Sequence, residues 1–221
     1  MQPFLSFPRG RSAAARADTP PSAEPLWLEW AALGGLLVFA TWLLGVRGVW
    51  ALLLGADPTG ITLVIVVVFF ASTLWCGTRA RRLQRERRAL ERGEAGWAAS
   101  YWAALGAAPR DAGAPLDGLL ECTHGPHGTA WWVNGIQLKL GLLGKVIGFS
   151  MLALQIGQMQ NFDPAQSQQL LKSLTTGLGV ALLTTMVGLV GNILLGLQLT
   201  RLDRYADAIV AEAQRRGLAR D

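Results

Sequence analysis

Four stretches of the chain are almost free of charge, and arginine-rich segments separate them. The first covers about residues 27–46, "WLEWAALGGLLVFATWLLGV". The second covers about 61–77, "ITLVIVVVFFASTLWCG". The third, about 138–159, reads "LKLGLLGKVIGFSMLALQIGQM". The fourth, about 174–199, reads "LTTGLGVALLTTMVGLVGNILLGLQL". Each approaches the ~20 residues that ~30 Å of hydrocarbon requires of a helix. The pattern therefore predicts four transmembrane helices. "RGVWALLLGADPTG", residues 47–60, is expected as an interfacial turn of helix or as part of the first span.

The polar segments are predicted to be helical too. Residues 78–105 open with "TRARRLQRERRALER", a basic continuation of the second span, and go on to "AGWAASYWAAL". "GAAPRDAGAPLDG" is a Pro/Gly linker. "LLECTHGPHGTAWWVNGIQ" leads into the third span, and within it "ECTHGPHG" reads as a flexible, glycine-rich loop. In residues 200–214, Leu202, Tyr205, Ala206, Ile209 and Val210 share one helical face, suited to packing on the loop helices or on a neighbouring subunit.

Composition agrees with a membrane protein. Hydrophobic residues make up 51% of the 221 and charged residues only 16%. A net charge of +5 would suit nucleic acid, but no basic module with stacking aromatics is present, so nucleic-acid binding is not expected. The arginines instead report topology. Arg9, Arg11 and Arg16, the 78–92 segment, and Arg201, Arg204, Arg215, Arg216 and Arg220 all belong to one side. The opposite links carry Arg47 and Lys172. Both termini and the 78–137 loop are therefore expected in the cytoplasm. The first 25 residues lack an apolar core long enough for a signal peptide and read as a disordered tail. Cys76 and Cys122 have no spacing partner, so no disulfide framework is implied.

Spans three and four differ from the plainly apolar first two. Gly141, Lys145, Gly148, Leu152 and Gln155 fall on a face about 80° wide at roughly 100° per residue. Gly177, Ala181, Thr184, Gly188 and Gly191 form a similar face on span four, flanked by Thr185 and Asn192. Small residues let helix backbones approach closely in lipid. Close packing does not account for a lysine and a glutamine on the same stripe, because polar groups inside a membrane usually face a bundle interior or a watery path.

"LGLLGKVIGFSMLAL" resembles the first pore helix of the MotA/TolQ/ExbB proton-channel family, whose pattern is close to Leu-Gly-Leu-(Leu/Phe)-Gly-Thr-Val-x-Gly. "GVALLTTMVGLVGNILL" is similar to the second, where Ala-Leu-(Leu/Ile)-x-Thr-x-x-Gly recurs. The resemblance covers about 138–199 and extends to the order of tail, spans, loop, pore spans and terminal helix. It implies a homopentameric channel ring in the bacterial inner membrane around a dimer of a single-span partner (ExbD/TolR/MotB-like). That partner carries a transmembrane Asp and a periplasmic domain. The ring is a stator-type subunit that couples proton-motive force to work in the periplasm or envelope. Gly144, Gly148 and Thr185 match motif positions. Lys145 stands where the family has threonine, and Val180 stands where ExbB-like proteins have glutamate.

The fold class expected is thus all-α, an integral membrane protein with four transmembrane helices and a short cytoplasmic helical domain. Residues 1–25 are the tail, 26–77 the peripheral spans, 78–137 the cytoplasmic loop, 138–199 the pore-lining spans and 200–221 a cytoplasmic helix. The expected pore lining is Gly141, Lys145, Gly148, Gln155, Gly177, Ala181, Thr184, Thr185, Gly188 and Asn192. Two readings of Lys145 stand. It pairs with a partner carboxylate, or it snorkels to the interface as Lys139 should, about 9 Å away along the axis. Burial at the centre of a lipid-facing span would cost roughly 2.5–3.5 kcal/mol. Cys122, His124 and His127 have the side chains to bind zinc, but the flexible-loop reading is preferred, and neither metal nor cofactor is expected. No nucleophile–base pair or phosphate loop points to an enzyme. Alternatives in other classes are a non-conducting scaffold of the same fold, with the lysine sealing the pore, and a small-solute permease. A permease would be expected to show more spans or an internal repeat.

Overall fold

The computed structural model describes residues 26–57, 59–107, 113–157 and 164–219. The tail, the middle of the Pro/Gly linker and the last residues assigned to span three lie outside them. Among the described residues six helices follow one another: α1 (Leu26–Val46), α2 (Val49–Ala56), α3 (Ile61–Arg92), α4 (Trp97–Ala107), α5 (Gly113–Gly157) and α6 (Pro164–Leu218). Four of them, α1, α3, α5 and α6, are long and apolar enough to cross a membrane, which makes this a multi-pass membrane protein.

Local chemistry sets the boundaries. Gly48 takes φ 71° to end the turn after α1, and α2 folds back so that the Trp50 indole N–H donates to the Thr41 carbonyl at 3.1 Å. Asp57 then caps α3, its carboxylate accepting from the backbone N–H groups of Thr59 (3.0 Å) and Thr62 (2.6 Å). At the far end Gly93, at φ 68°, closes α3 with N–H bonds from Gly93 to Leu90 and from Glu94 to Ala89. The Glu86 carboxylate on α3 accepts from the first N–H of α4, at Trp97, at 2.9 Å.

The two longest helices settle the architecture. With 45 and 55 residues, α5 and α6 run about 68 Å and about 83 Å, far more than the ~30 Å of a bilayer core. They are antiparallel partners. The apolar half of α5, from about 138, lies beside the apolar half of α6, and the polar halves meet at the other end. There they combine with the basic end of α3 and with α4. The core at this polar end joins Leu83 and Leu90 to Leu119, Leu202, Ile209 and Ala213. The face foreseen on 200–214 is therefore buried against helices of its own chain: Leu202, Ala206, Ile209 and Val210 are buried and Tyr205 is half-buried under Arg87.

The apolar end has little core of its own. Val38, Trp42, Val67, Val146, Leu154 and Ile193 are each more than half exposed in the single chain. Surfaces this apolar require lipid or other subunits. Trp30 of α1 packs directly on α3, where a methyl group on Gly77 would overlap its indole.

The expectation of a flexible loop at "ECTHGPHG" is overturned, because these residues lie inside α5 with Pro126 in mid-helix. Proline has no N–H for the carbonyl four residues back, here that of Cys122. The Arg79 guanidinium takes the place of that N–H, donating to the Cys122 carbonyl at 2.8 Å and to the Thr123 carbonyl at 3.1 Å. Packing between α3 and α6 holds the segment helical despite its two glycines.

Candidate functional site

The faces that sequence assigned to a pore meet each other within one chain. Gly141 lies against Gly188: a methyl group on Gly188 would stand 2.9 Å from the Gln137 carbonyl oxygen and 3.0 Å from the Gly141 Cα. Gly144 receives Thr184, whose hydroxyl would be 2.6 Å from a methyl there. Gly148 receives Ala181 and Gly177. Gly141, Gly144, Gly148, Ala181, Thr184 and Gly188 are all buried by this seam. They line a helix–helix contact in the single chain. The small residues bring the two backbones close enough for polar groups to reach across.

Two side chains make that reach. The Thr185 hydroxyl lies 2.8 Å from the Ala181 carbonyl of its own helix and 3.2 Å from the Gly141 carbonyl of α5. The Asn192 amide donates to the Asn134 carbonyl at 2.9 Å. Thr184 behaves differently, bonding back to the Val180 carbonyl at 2.9 Å without crossing the seam. Gln137, fully buried one turn from Gly141, has no hydrogen-bond partner at either end of its amide.

Lys145 and Gln155 are exposed on α5. The α-helical pattern makes the Gly141 carbonyl the acceptor for the Lys145 N–H. The Thr185 hydroxyl therefore sits on the turn that ends at Lys145. These two motif positions, 40 residues apart in sequence, are neighbours at the edge of the seam, one half-buried and one open.

This geometry ranks the two threonines. Thr185→Val keeps shape but removes the interhelical bond, and is expected to weaken α5–α6 association by about 0.6–1.7 kcal/mol. Thr184→Val should cost less, because the Val180 carbonyl retains its helical N–H. Unfolding in mixed micelles by SDS titration measures both. Equal losses would show that Thr185 does not couple the helices.

A second polar cluster, which sequence reasoning missed, joins three helices at the polar end. Arg79 on α3 is 6% exposed and points its Nε–H at His127 Nε2, 3.5 Å away. That nitrogen must then carry the lone pair, which leaves the proton on Nδ1. His127 Nδ1 donates to Asp203 on α6 at 2.6 Å, and Trp131 donates to the other carboxylate oxygen at 2.8 Å. The result is a cation, a neutral imidazole and a carboxylate in series. Burial pushes the His127 pKa below its ordinary 6.5, against the opposing pull of Asp203. Beside it His124 meets Asp207 at 3.0 Å. Cys122 is exposed, and each histidine is directed at its own aspartate. Among the described residues no cluster of three or more His, Cys, Asp or Glu is placed to hold a metal. The available signals were the mid-helix Pro126 and the matched pairs His124/His127 and Asp203/Asp207. Neither shows its partner without the helix pairing.

No family model matches the chain, and no curated protein or solved structure does either. What the fold itself defines is a helical, multi-pass membrane protein with one seam of glycine-mediated contact and a buried polar clamp at the end of that seam.

Proposed function

We propose that the chain is the channel-ring subunit of an ion-driven motor of the bacterial inner membrane, with both termini cytoplasmic. In this reading five copies surround the paired helices of a single-span partner that carries a transmembrane aspartate and a periplasmic domain. The observation that carries the reading is the juxtaposition of Thr185 with the Gly141–Lys145 turn. It puts the half-buried Thr185 hydroxyl on the helical turn from which the exposed Lys145 side chain leaves α5. A carboxylate presented there would find a cation and a hydroxyl together, the groups needed to hold and release a charge. The exposed Leu142, Val146, Phe149, Leu182 and Met186 on the same helices supply apolar surface for ring neighbours. Because the glycine faces close the seam inside one protomer, the ring is assigned to these larger side chains.

In this reading Lys145 pairs with the partner's aspartate. Two aspartates facing five lysines leave most of the lysines unpaired at any moment, so each rotational step exchanges which one is matched. Native mass spectrometry of the purified complex tests the proposal. The expected species is five copies of this chain with two of the partner. Lys145→Met should keep the pentamer and lose the partner. A monomer or dimer of the wild type rejects the ring. A Lys145→Met pentamer that retains its partner at full occupancy reduces the lysine to an interfacial anchor.

A further inference from the structure

A cavity of about 330 Å³ lies between α1, α3 and α6, walled by Trp30, Leu33, Ala80, Leu197 and Leu202. Its size falls within the range of small-molecule sites. Its level is fixed by the helices around it. Glu29 and Trp30 lie in the first turns of α1, Ala80 just beyond the apolar run of α3, and Arg201 just beyond that of α6. Three apolar runs therefore end at one height, and the cavity opens at the boundary between hydrocarbon and water. Two opposite charges stand at its rim, Arg201 Nη1 and Glu29 Oε2, separated by 3.7 Å. That distance is longer than a close charge-assisted hydrogen bond, and both side chains are substantially exposed.

We infer that this cavity is a binding site for a phospholipid with a phosphoethanolamine headgroup. The apolar walls take the upper part of an acyl chain, removing it and Leu33, Leu197 and Leu202 from competing environments. The Arg201 guanidinium matches a phosphodiester, with planar donors suited to two oxygens. The Glu29 carboxylate matches the primary ammonium beside that phosphate. An anionic headgroup would satisfy Arg201 but meet repulsion at Glu29. A choline headgroup carries the positive charge but no N–H to donate. Free phosphate or soluble glycerophosphoethanolamine shares the polar contacts but leaves the apolar walls unfilled. The zwitterion with a chain is the occupant that matches both rim charges and the apolar walls together. The site is formed within a single chain.

The test uses the full chain in nanodiscs of equimolar phosphatidylethanolamine, phosphatidylglycerol and phosphatidylcholine. Native mass spectrometry then identifies the lipid retained on the released protein. Phosphatidylethanolamine should be retained about tenfold over the other two, as one charge-assisted hydrogen bond implies. Arg201→Gln should lower retention of both phosphatidylethanolamine and phosphatidylglycerol. Glu29→Gln should move the preference to phosphatidylglycerol. Both replacements are of exposed side chains, and circular dichroism checks that helix content is kept. Leu33→Trp fills the cavity and should abolish retention while leaving both charges in place. Soluble glycerophosphoethanolamine added in excess should not displace the lipid, whereas displacement would assign the site to the headgroup alone. Retention without headgroup preference, or a preference unmoved by Glu29→Gln, overturns the inference.

Discussion

Gly188→Ala is expected to loosen the contact between α5 and α6 by about 1–3 kcal/mol, the usual range for overpacking a close contact. The added methyl has no flexible neighbour to push aside. It meets the Gln137 carbonyl oxygen at 2.9 Å and the Gly141 Cα at 3.0 Å, both backbone atoms, so one helix must move. Movement there also pulls Thr185 off the Gly141 carbonyl and Asn192 off the Asn134 carbonyl. Gly179→Ala is the control. It lies on the same helix, exposed, with nothing within 4 Å of the position a methyl would take. Its effect should be no larger than about 1 kcal/mol and stabilising, in the direction of helix propensity. SDS titration of the two variants separates steric cost from propensity. Equal stability would mean that α5 and α6 do not approach as closely as described.

Removal of the guanidinium by Arg79→Met should cost about 3 kcal/mol, because charged hydrogen bonds are lost and buried acceptors are left behind. The Cys122 carbonyl has no second donor within its helix, since Pro126 follows it by four residues. The same cluster gives the polar end a pH dependence of definite sign. The folded pKa of His127 lies below its unfolded value of 6.5, because burial disfavours the imidazolium. Between the two values the unfolded chain binds the extra proton, so stability rises with pH across that window. The contribution is complete above about 6.5. It is lost as pH falls from there through the folded value, when a proton on Nε2 would confront the Arg79 Nε–H. His127→Asn retains a donor toward Asp203 but cannot take up the proton. Thermal unfolding of wild type should therefore fall between pH 7 and pH 5 more steeply than that of His127→Asn, with pH 7 bracketing the ordinary histidine pKa from above. Parallel profiles would show that His127 does not set the pH dependence of this end.

What the amino-acid order alone decided is everything that depends on one helix at a time. The apolar runs at 27–46, 61–77, 138–159 and 174–199 foretell α1, α3, α5 and α6, because hydrocarbon thickness sets a length that can be counted along the chain. The basic extension of α3, the α4 helix at "AGWAASYWAAL" and the buried face of 200–214 were legible for the same reason. Pairings between helices were not. A stripe of small residues says that some backbone comes close, but not which one. Gly141, Gly148, Gly177, Ala181, Thr184 and Gly188 read as well for a lumen as for a seam, and only the antiparallel placement of α5 on α6 puts them against each other. Likewise Pro126 argues for a break until Arg79, 43 residues before Cys122, supplies the missing donor. His127 has no assigned role until Asp203, 76 residues later, faces it. Helical phase gives each side chain a direction. The identity of what stands opposite is fixed only when a second helix is set at a definite rotation and height.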